Sequence, residues 1–343
     1  MIRLEDSGMG PSHRLLAAAA LAAGLAAGGV AAASNVAYTS LGPSASHVWV
    51  MEGDGTDKDR LTSGSVNDFG PVISPNGSRL AFVRRRTGRH DDLWRLDVDG
   101  TTLRRLTNTD VAESNPAWAP DGELIVFEFE SAGRRAELAV VEPDGTGRRR
   151  LTNNAIDDAD PTWSPDSKRI AFTRYVTRTN AEIYTIAAAG GSLRRLTDHR
   201  AADHSPDFSS TGWIAWVRSH ANGSQIRLTR ADGSGRRLLF STRRGVTDPT
   251  WSPNGARLAF ELWDGHDTEL YVIAFDGTGL RRLTNNDVGD FGPVWGPGSG
   301  RIAFTRFTTT SNDVWSMAPN GLDKRRLTTA TTHDAVTDWG ADP

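Results

Sequence analysis

Past residue 34 the chain is a succession of short apolar runs separated by turn residues. Arg169-Ile170-Ala171-Phe172 and Ile183-Tyr184-Thr185-Ile186 are typical, rich in β-branched and aromatic side chains and bounded by Pro, Asp and Gly. Such runs predict strands, and the residues between them predict tight turns. The pattern therefore points to an all-β chain of many short antiparallel strands.

The runs recur in register. A Leu-Thr pair closes a basic stretch at Leu61-Thr62, Leu106-Thr107, Leu151-Thr152, Leu196-Thr197, Leu283-Thr284 and Leu327-Thr328. The first three spacings are equal (106−61 = 151−106 = 196−151 = 45). The gap from 196 to 283 holds a further copy at Leu238, where the Thr is lost. A second landmark keeps step with the first: Pro116-Ala-Trp118, Pro161-Thr-Trp163, Pro206-Asp-Phe208, Pro249-Thr-Trp251 and Pro293-Val-Trp295, with Pro71-Val-Ile73 as a weaker copy. A strand-rich period near 40–45 residues marks propeller blades. Each period supplies four strands, a to d. Ser164-Pro165-Asp166-Ser167 turns a into b, and Asp-Gly pairs such as Asp144-Gly145 and Asp276-Gly277 turn c into d.

Six full units begin at Pro71, Pro116, Pro161, Pro206, Pro249 and Pro293. Ahead of them Asn35–Tyr38, His47–Val50 and Asp59–Thr62 match strands b, c and d, with no strand a. Val336-Thr337-Asp338-Trp339-Gly340 at the other end matches Gly292–Gly296 as a strand a. The expected fold is a seven-bladed β-propeller of four-stranded antiparallel blades over residues 34–343, closed when the C-terminal strand joins the N-terminal three.

Composition narrows the setting. The formal net charge of -3 offers no global attraction to nucleic acid or an anionic membrane. With no cysteine, disulfides, thiolate metal sites and a Cys nucleophile are excluded. Residues 1–33 carry Arg3, His13 and Arg14, then an Ala/Leu/Gly run ending in Ala31-Ala32-Ala33. This predicts a secretory signal cut near Ala33/Ser34, with Met9 an alternative start because Glu5 and Asp6 are unusual in such a region; a retained anchor is the competing reading. The mature chain is expected to be secreted or periplasmic, monomeric and not inserted in a membrane.

The unit P-x-W-S-P-D-G-x-x-I-A-F…I-Y…D-G…R-R-L-T resembles the repeat of the TolB-type propellers, also called PD40 or WD40-like. The resemblance covers about residues 35–340. It implies a ring whose loop-rich face and central funnel bind a partner, often a protein segment. Two departures, the absence of an α/β domain before the propeller and a count of seven blades rather than six, mean that Tol–Pal function is not implied.

In such a ring the a–b and c–d turns share one face, and the b–c and d–a loops share the other. The first set is short and stereotyped here; the second is long and varied, so the second face is the expected working surface. Counting back three from each strand-a landmark gives Asp68, Glu113, Asp158, Asp203, Val246, Asp290 and Asp334, an acidic circle at the channel mouth. It could attract a basic segment, hold a cation such as Ca²⁺, or fix the turn into strand a. A second circle, two residues after the strand-b aromatic, holds Arg84, Arg174, Arg218 and Arg306, with Glu128, Leu262 and Ser40 counted in the other blades. These arginines could pair with the acids or meet an anionic ligand. Among the histidines, His204 and His333 fall nearest the channel. The Arg pairs on strand d are read as charged blade edges that block strand-on-strand aggregation, and the recurring Trp residues as inter-blade packing.

No G-x-S-x-G elbow, P-loop, dinucleotide fingerprint or H-E-x-x-H appears, so no catalytic residue, metal ligand or cofactor is assigned. The expected function is a non-catalytic extracytoplasmic scaffold that binds a protein or peptide, or a glycan, and no nucleic acid. The alternative is a carbohydrate-active enzyme resembling the seven-bladed oligogalacturonate-type lyases, with His204 and His333 and with Arg174, Arg218 or Arg306 as candidates. A peptidase-gating role is set aside because residues 35–340 leave no span for a catalytic domain.

Overall fold

The computed structural model describes residues 34–85, 90–130, 135–177, 179–329 and 331–341. The expected signal over residues 1–33 lies outside the described residues. Within them every regular element is a strand, 28 in all. They fall into seven sets of four antiparallel neighbours, each in the order a-b-c-d. In the first blade these are Asn67–Ile73, Arg79–Arg85, Asp91–Asp97 and Leu103–Arg105. Five blades more start at Glu113, Asp158, Ala202, Val246 and Asp290.

The seventh blade joins the two ends. His333–Ala341 runs antiparallel to Ser34–Leu41, with Trp339 opposite Val36 and His333 opposite Leu41. Ser46–Glu52 and Asp59–Arg60 complete it. A single parallel step, Asn312 beside His333, links this sheet to the sixth blade. Each inner strand packs on strands b and c of the blade before it, and Asn67–Ile73 packs on the closing blade, so the ring has no open end.

The core lies between blades. An apolar cluster fills every one of the seven interfaces; Ala81, Val83 and Leu93 meet Ile125, Phe127 and Phe129, for example. The closing blade meets its neighbours through Val36, Met51 and Trp339 on one side and, on the other, through Ala37 and Val48 against Ile73 and Phe82 of the first blade. Alternation along each strand turns both faces of a blade to a neighbour, which is why the middle of strand b holds consecutive buried apolar residues such as Leu80-Ala81-Phe82-Val83.

The tryptophans do more than fill space. The indole N–H groups of Trp118, Trp163, Trp251 and Trp295 donate to Val72, Ala117, Asp207 and Thr250 carbonyls of the preceding blade at 3.0–3.2 Å. The Leu-Thr pair also gains a reason. The Thr hydroxyl accepts the first apolar strand-c amide, as Thr152 does from Leu138 at 2.9 Å, and so continues the ladder where strand d stops. In the fourth blade strand d runs on through Arg237–Thr242 and pairs by backbone instead. The Thr missing there is replaced by the ladder itself.

Candidate functional site

The predicted acidic and basic circles are one set of cross-strand pairs. Strand a places Asp68, Asp158, Asp203 and Asp290 opposite Arg84, Arg174, Arg218 and Arg306 of strand b. Each arginine grips its carboxylate with two nitrogens at 2.6–2.8 Å. All four carboxylates are fully buried. Three of the guanidiniums also lie over a strand-c aromatic ring, Arg174 over Tyr184 at 4.8 Å for example. In the fifth blade buried Val246 and Leu262 occupy the same two places, so acid and base are both replaced there.

Two acids lack that partner. Glu113 stands opposite Phe129, not Glu128 as the sequence count has it. It is met by the Thr107 hydroxyl, Thr109 Oγ1 at 3.1 Å and, more distantly, Arg148 at 3.7 Å; burial pushes its carboxyl up. Asp334, close to Ser40, accepts from Thr332 Oγ1 at 2.9 Å.

A further acid set went unread in the sequence. Asp92, Glu137, Glu182, Glu269 and Asp313 precede the apolar residues of strand c, all buried. Each holds the second strand-d arginine, with Arg105, Arg150, Arg195, Arg282 and Arg326 at 2.7–3.0 Å. That arginine is thus fixed within its blade rather than left as a free edge charge. The recurring Asp/Glu before strand c was the available signal.

The channel wall is built from the inner strands by one device. Strand a bulges just before its proline, and the residue there turns left-handed: Asn115, Asp160, Ser205 and Asp248 at φ 45–53°, Gly70 and Gly292 at 60–61°. Glycine, Asn and Asp tolerate this region best, which explains five of the six residues found, Ser205 being the exception. The preceding blade latches the amide at this position, turned in four of the five cases. Thr39 Oγ1, Glu128 Oε1, Thr173 Oγ1, Glu261 Oε1 and Thr305 Oγ1 accept from residues 70, 160, 205, 292 and 336 at 2.7–3.1 Å.

The channel holds two adjoining cavities of about 400 and 410 Å³ that share Asp160, Pro161 and Thr337. Prolines, small hydroxyls and three carboxyls line them: Asp160, Asp207 and Asp248. Among the described residues none of the three has an arginine or lysine ion-pair partner. Asp160 accepts from Thr173 Oγ1 at 3.0 Å. Burial first, then the Asp160 charge, pushes the Asp248 carboxyl up; burial and Asp248 push Glu261 up. Burial raises Asp207 to about 6 while its Oδ2 accepts the Trp251 amide at 2.8 Å.

His204 lies beside this wall. Burial lowers its pKa against the pull of Asp160, Asp203 and Asp248, and its ring nitrogens meet Ser205 and Ser219 hydroxyls at 3.1 and 2.8 Å. His333 is exposed on the closing strand. Among the described residues no three His, Asp or Glu side chains converge as a metal ion would require.

Around the mouth, the third residue past the strand-b aromatic is apolar and exposed in four blades: Leu41, Tyr175, Trp263 and Phe307, each 40–48% accessible. Phe291 packs edge-on against Phe307 at 4.9 Å. Each lies one residue past the strand-b position that faces the strand-a acid or its equivalent, toward the b–c loop.

Residues 30–154 and 200–343 match the PD40 family model, the TolB beta propeller domain. A 63-residue stretch is 32% identical to the Tol-Pal system protein TolB of Thioalkalivibrio sulfidiphilus, covering 17% of this chain and 14% of that protein. The crystal structure of TolB from Acinetobacter baumannii is similar at a TM-score of 0.59 and 15% identity, over 89% of this chain and 82% of that one. An oligogalacturonate lyase in complex with manganese is similar at 0.64 and 12% identity, over 87% and 86%. At such identities the two likenesses speak to the fold.

Proposed function

Since the chain belongs to the TolB β-propeller family, we propose that it is a non-catalytic extracytoplasmic scaffold whose loop-rich face binds a segment of another protein. The segment lies across the mouth against Trp263, Phe307 and Tyr175, and a cationic group on it enters the channel toward Asp160 and Asp248. One observation carries this reading: the framework acids Asp68, Asp158, Asp203 and Asp290 each hold an arginine, while among the described residues Asp160, Asp207 and Asp248 have no arginine or lysine partner. A buried or half-buried carboxylate without a counter-ion is costly, and an incoming ammonium or guanidinium relieves that cost. The paired residues Asp68, Asp158, Asp203 and Asp290 with their arginines hold the mouth in shape, with Glu113, Asp334, His204 and His333 beside them.

The arginines and His204 are less suited to chemistry on a uronate. Arg174, Arg218 and Arg306 would have to leave bidentate pairs with buried carboxylates, and His204 already bonds two hydroxyls. The test is a titration of a labelled lysine-rich peptide into the full chain, followed by fluorescence anisotropy, beside an absorbance assay for unsaturated uronate product on pectic oligomers. Saturable binding that weakens at least tenfold in Asp160→Asn/Asp248→Asn supports the scaffold. Uronate product, or equal affinity in the double variant, overturns it.

A further inference from the structure

One position breaks the repeat on the opposite face, among the short turns. In all seven blades the strand-c residue paired with the small residue before the strand-b aromatic points between blades. It is Val50, Val140, Thr185, Leu228, Val272 or Ser316 in six blades, all buried. In the first blade it is Arg95, only 8% exposed.

Its charge is poorly met. Among the described residues Arg95 Nε has no hydrogen-bond partner, Nη1 reaches the Pro143 carbonyl at 3.3 Å, and Nη2 comes no nearer than 3.5 Å to Asp97. Arg79 is drawn to that same Asp97 oxygen, at 3.7 Å. In the third and sixth blades the equivalents of Arg79 reach a hydroxyl at that place: Arg169 donates to Thr185 at 3.0 Å and Arg301 to Ser316 at 2.8 Å. Here a second guanidinium replaces that hydroxyl, so two cations share one carboxylate at distances too long for hydrogen bonds. Both line a cavity of about 540 Å³ between the first and second blades. A buried guanidinium left so short of acceptors calls for an anion.

We propose that this inter-blade cavity binds a small monocarboxylate, gripped by Arg95 and Arg79, with a free α-amino acid as the best fit. The outer wall supplies the second half of the match: Glu123, Glu142 and Asp144 stand exposed at the rim, where they repel a dianion and attract an ammonium. Two carboxylate oxygens suit the planar guanidinium fork.

The full chain is titrated with L-alanine, acetate and inorganic phosphate at constant ionic strength, and its melting temperature is followed. A saturable rise with alanine, smaller with acetate and absent with phosphate, is expected. Arg95→Val restores the residue of three other blades; it should melt no lower than wild type in ligand-free buffer and lose at least tenfold in affinity. Arg79→Gln should weaken binding with the fold intact. A stronger response to phosphate, a response that survives Arg95→Val, or a lower ligand-free melt for that variant would overturn the site.

Discussion

Trp339 donates its indole N–H to the Ser34 hydroxyl at 2.8 Å, although 305 residues separate them along the chain. The same strand pairs Asp338 with Ala37, and Asp338 Oδ2 accepts the Ile73 amide at 2.7 Å. The C-terminal strand thus holds the closing blade and the first blade together. Removing residues 335–343 takes away the inner strand of one blade and exposes two interfaces. Losing a buried Trp alone costs about 3–5 kcal/mol, so the truncated chain is expected to melt about 10 °C lower or more. Circular dichroism melts of both chains check this, and an unchanged melt would refute closure.

The Asp158–Arg174 pair should be replaceable only as a unit. Arg174→Leu alone strands a fully buried carboxylate and is expected to cost about 3–5 kcal/mol. Asp158→Val/Arg174→Leu reproduces the Val246–Leu262 solution of the fifth blade and should recover most of that loss. Denaturant unfolding of the wild type and both variants measures the difference.

Buried carboxyls set the pH response. Asp207 rises to about 6, and burial also raises Asp338, Glu113 and Glu128. An acid whose folded pKa exceeds its unfolded value binds its proton more tightly in the fold. That contribution is complete below the unfolded pKa, near 4, and fades as pH climbs through 6. From these groups the chain should lose stability between about pH 4 and pH 7. Asp207→Asn keeps an oxygen for the Trp251 amide and removes one titration. Its melting temperature should exceed wild type at pH 8 and match it near pH 4; parallel curves would contradict the assignment.

Thr152→Val tests the hydroxyl that prolongs the ladder. The change keeps volume but leaves the buried Leu138 amide without its acceptor, at an expected cost of about 1–3 kcal/mol. An unfolding midpoint unchanged from wild type would show that the amide finds another partner.

The repeat made the fold legible. Leu-Thr and Pro-x-Trp kept phase along the chain although the fourth blade lost its Thr and the first and fourth blades their Trp, and Val336–Gly340 could be matched to Gly292–Gly296 from the sequence alone. The site was less legible, because a strand's side chains alternate and one residue of slip reverses the face. Glu128 shows this: counted at the Arg174 place, it instead points to the channel side and latches the Asp160 amide. The bulge added the second obstacle. Asp160 and Asp248 sit immediately before the prolines used as landmarks, yet their approach to the channel depends on a left-handed turn that spacing alone does not show. What singled out Asp158 and Asp203 was recurrence, and recurrence marked the framework that every blade needs.

The most direct measurement is a structure of the full chain with the lysine-rich peptide bound. The peptide should lie across the loop-rich mouth, over Trp263 or Phe307, with an ammonium within about 4 Å of Asp160 or Asp248, the range of an ion pair. A peptide seated on the outer rim or among the short turns, with the channel carboxyls still uncontacted, would contradict the proposed binding mode.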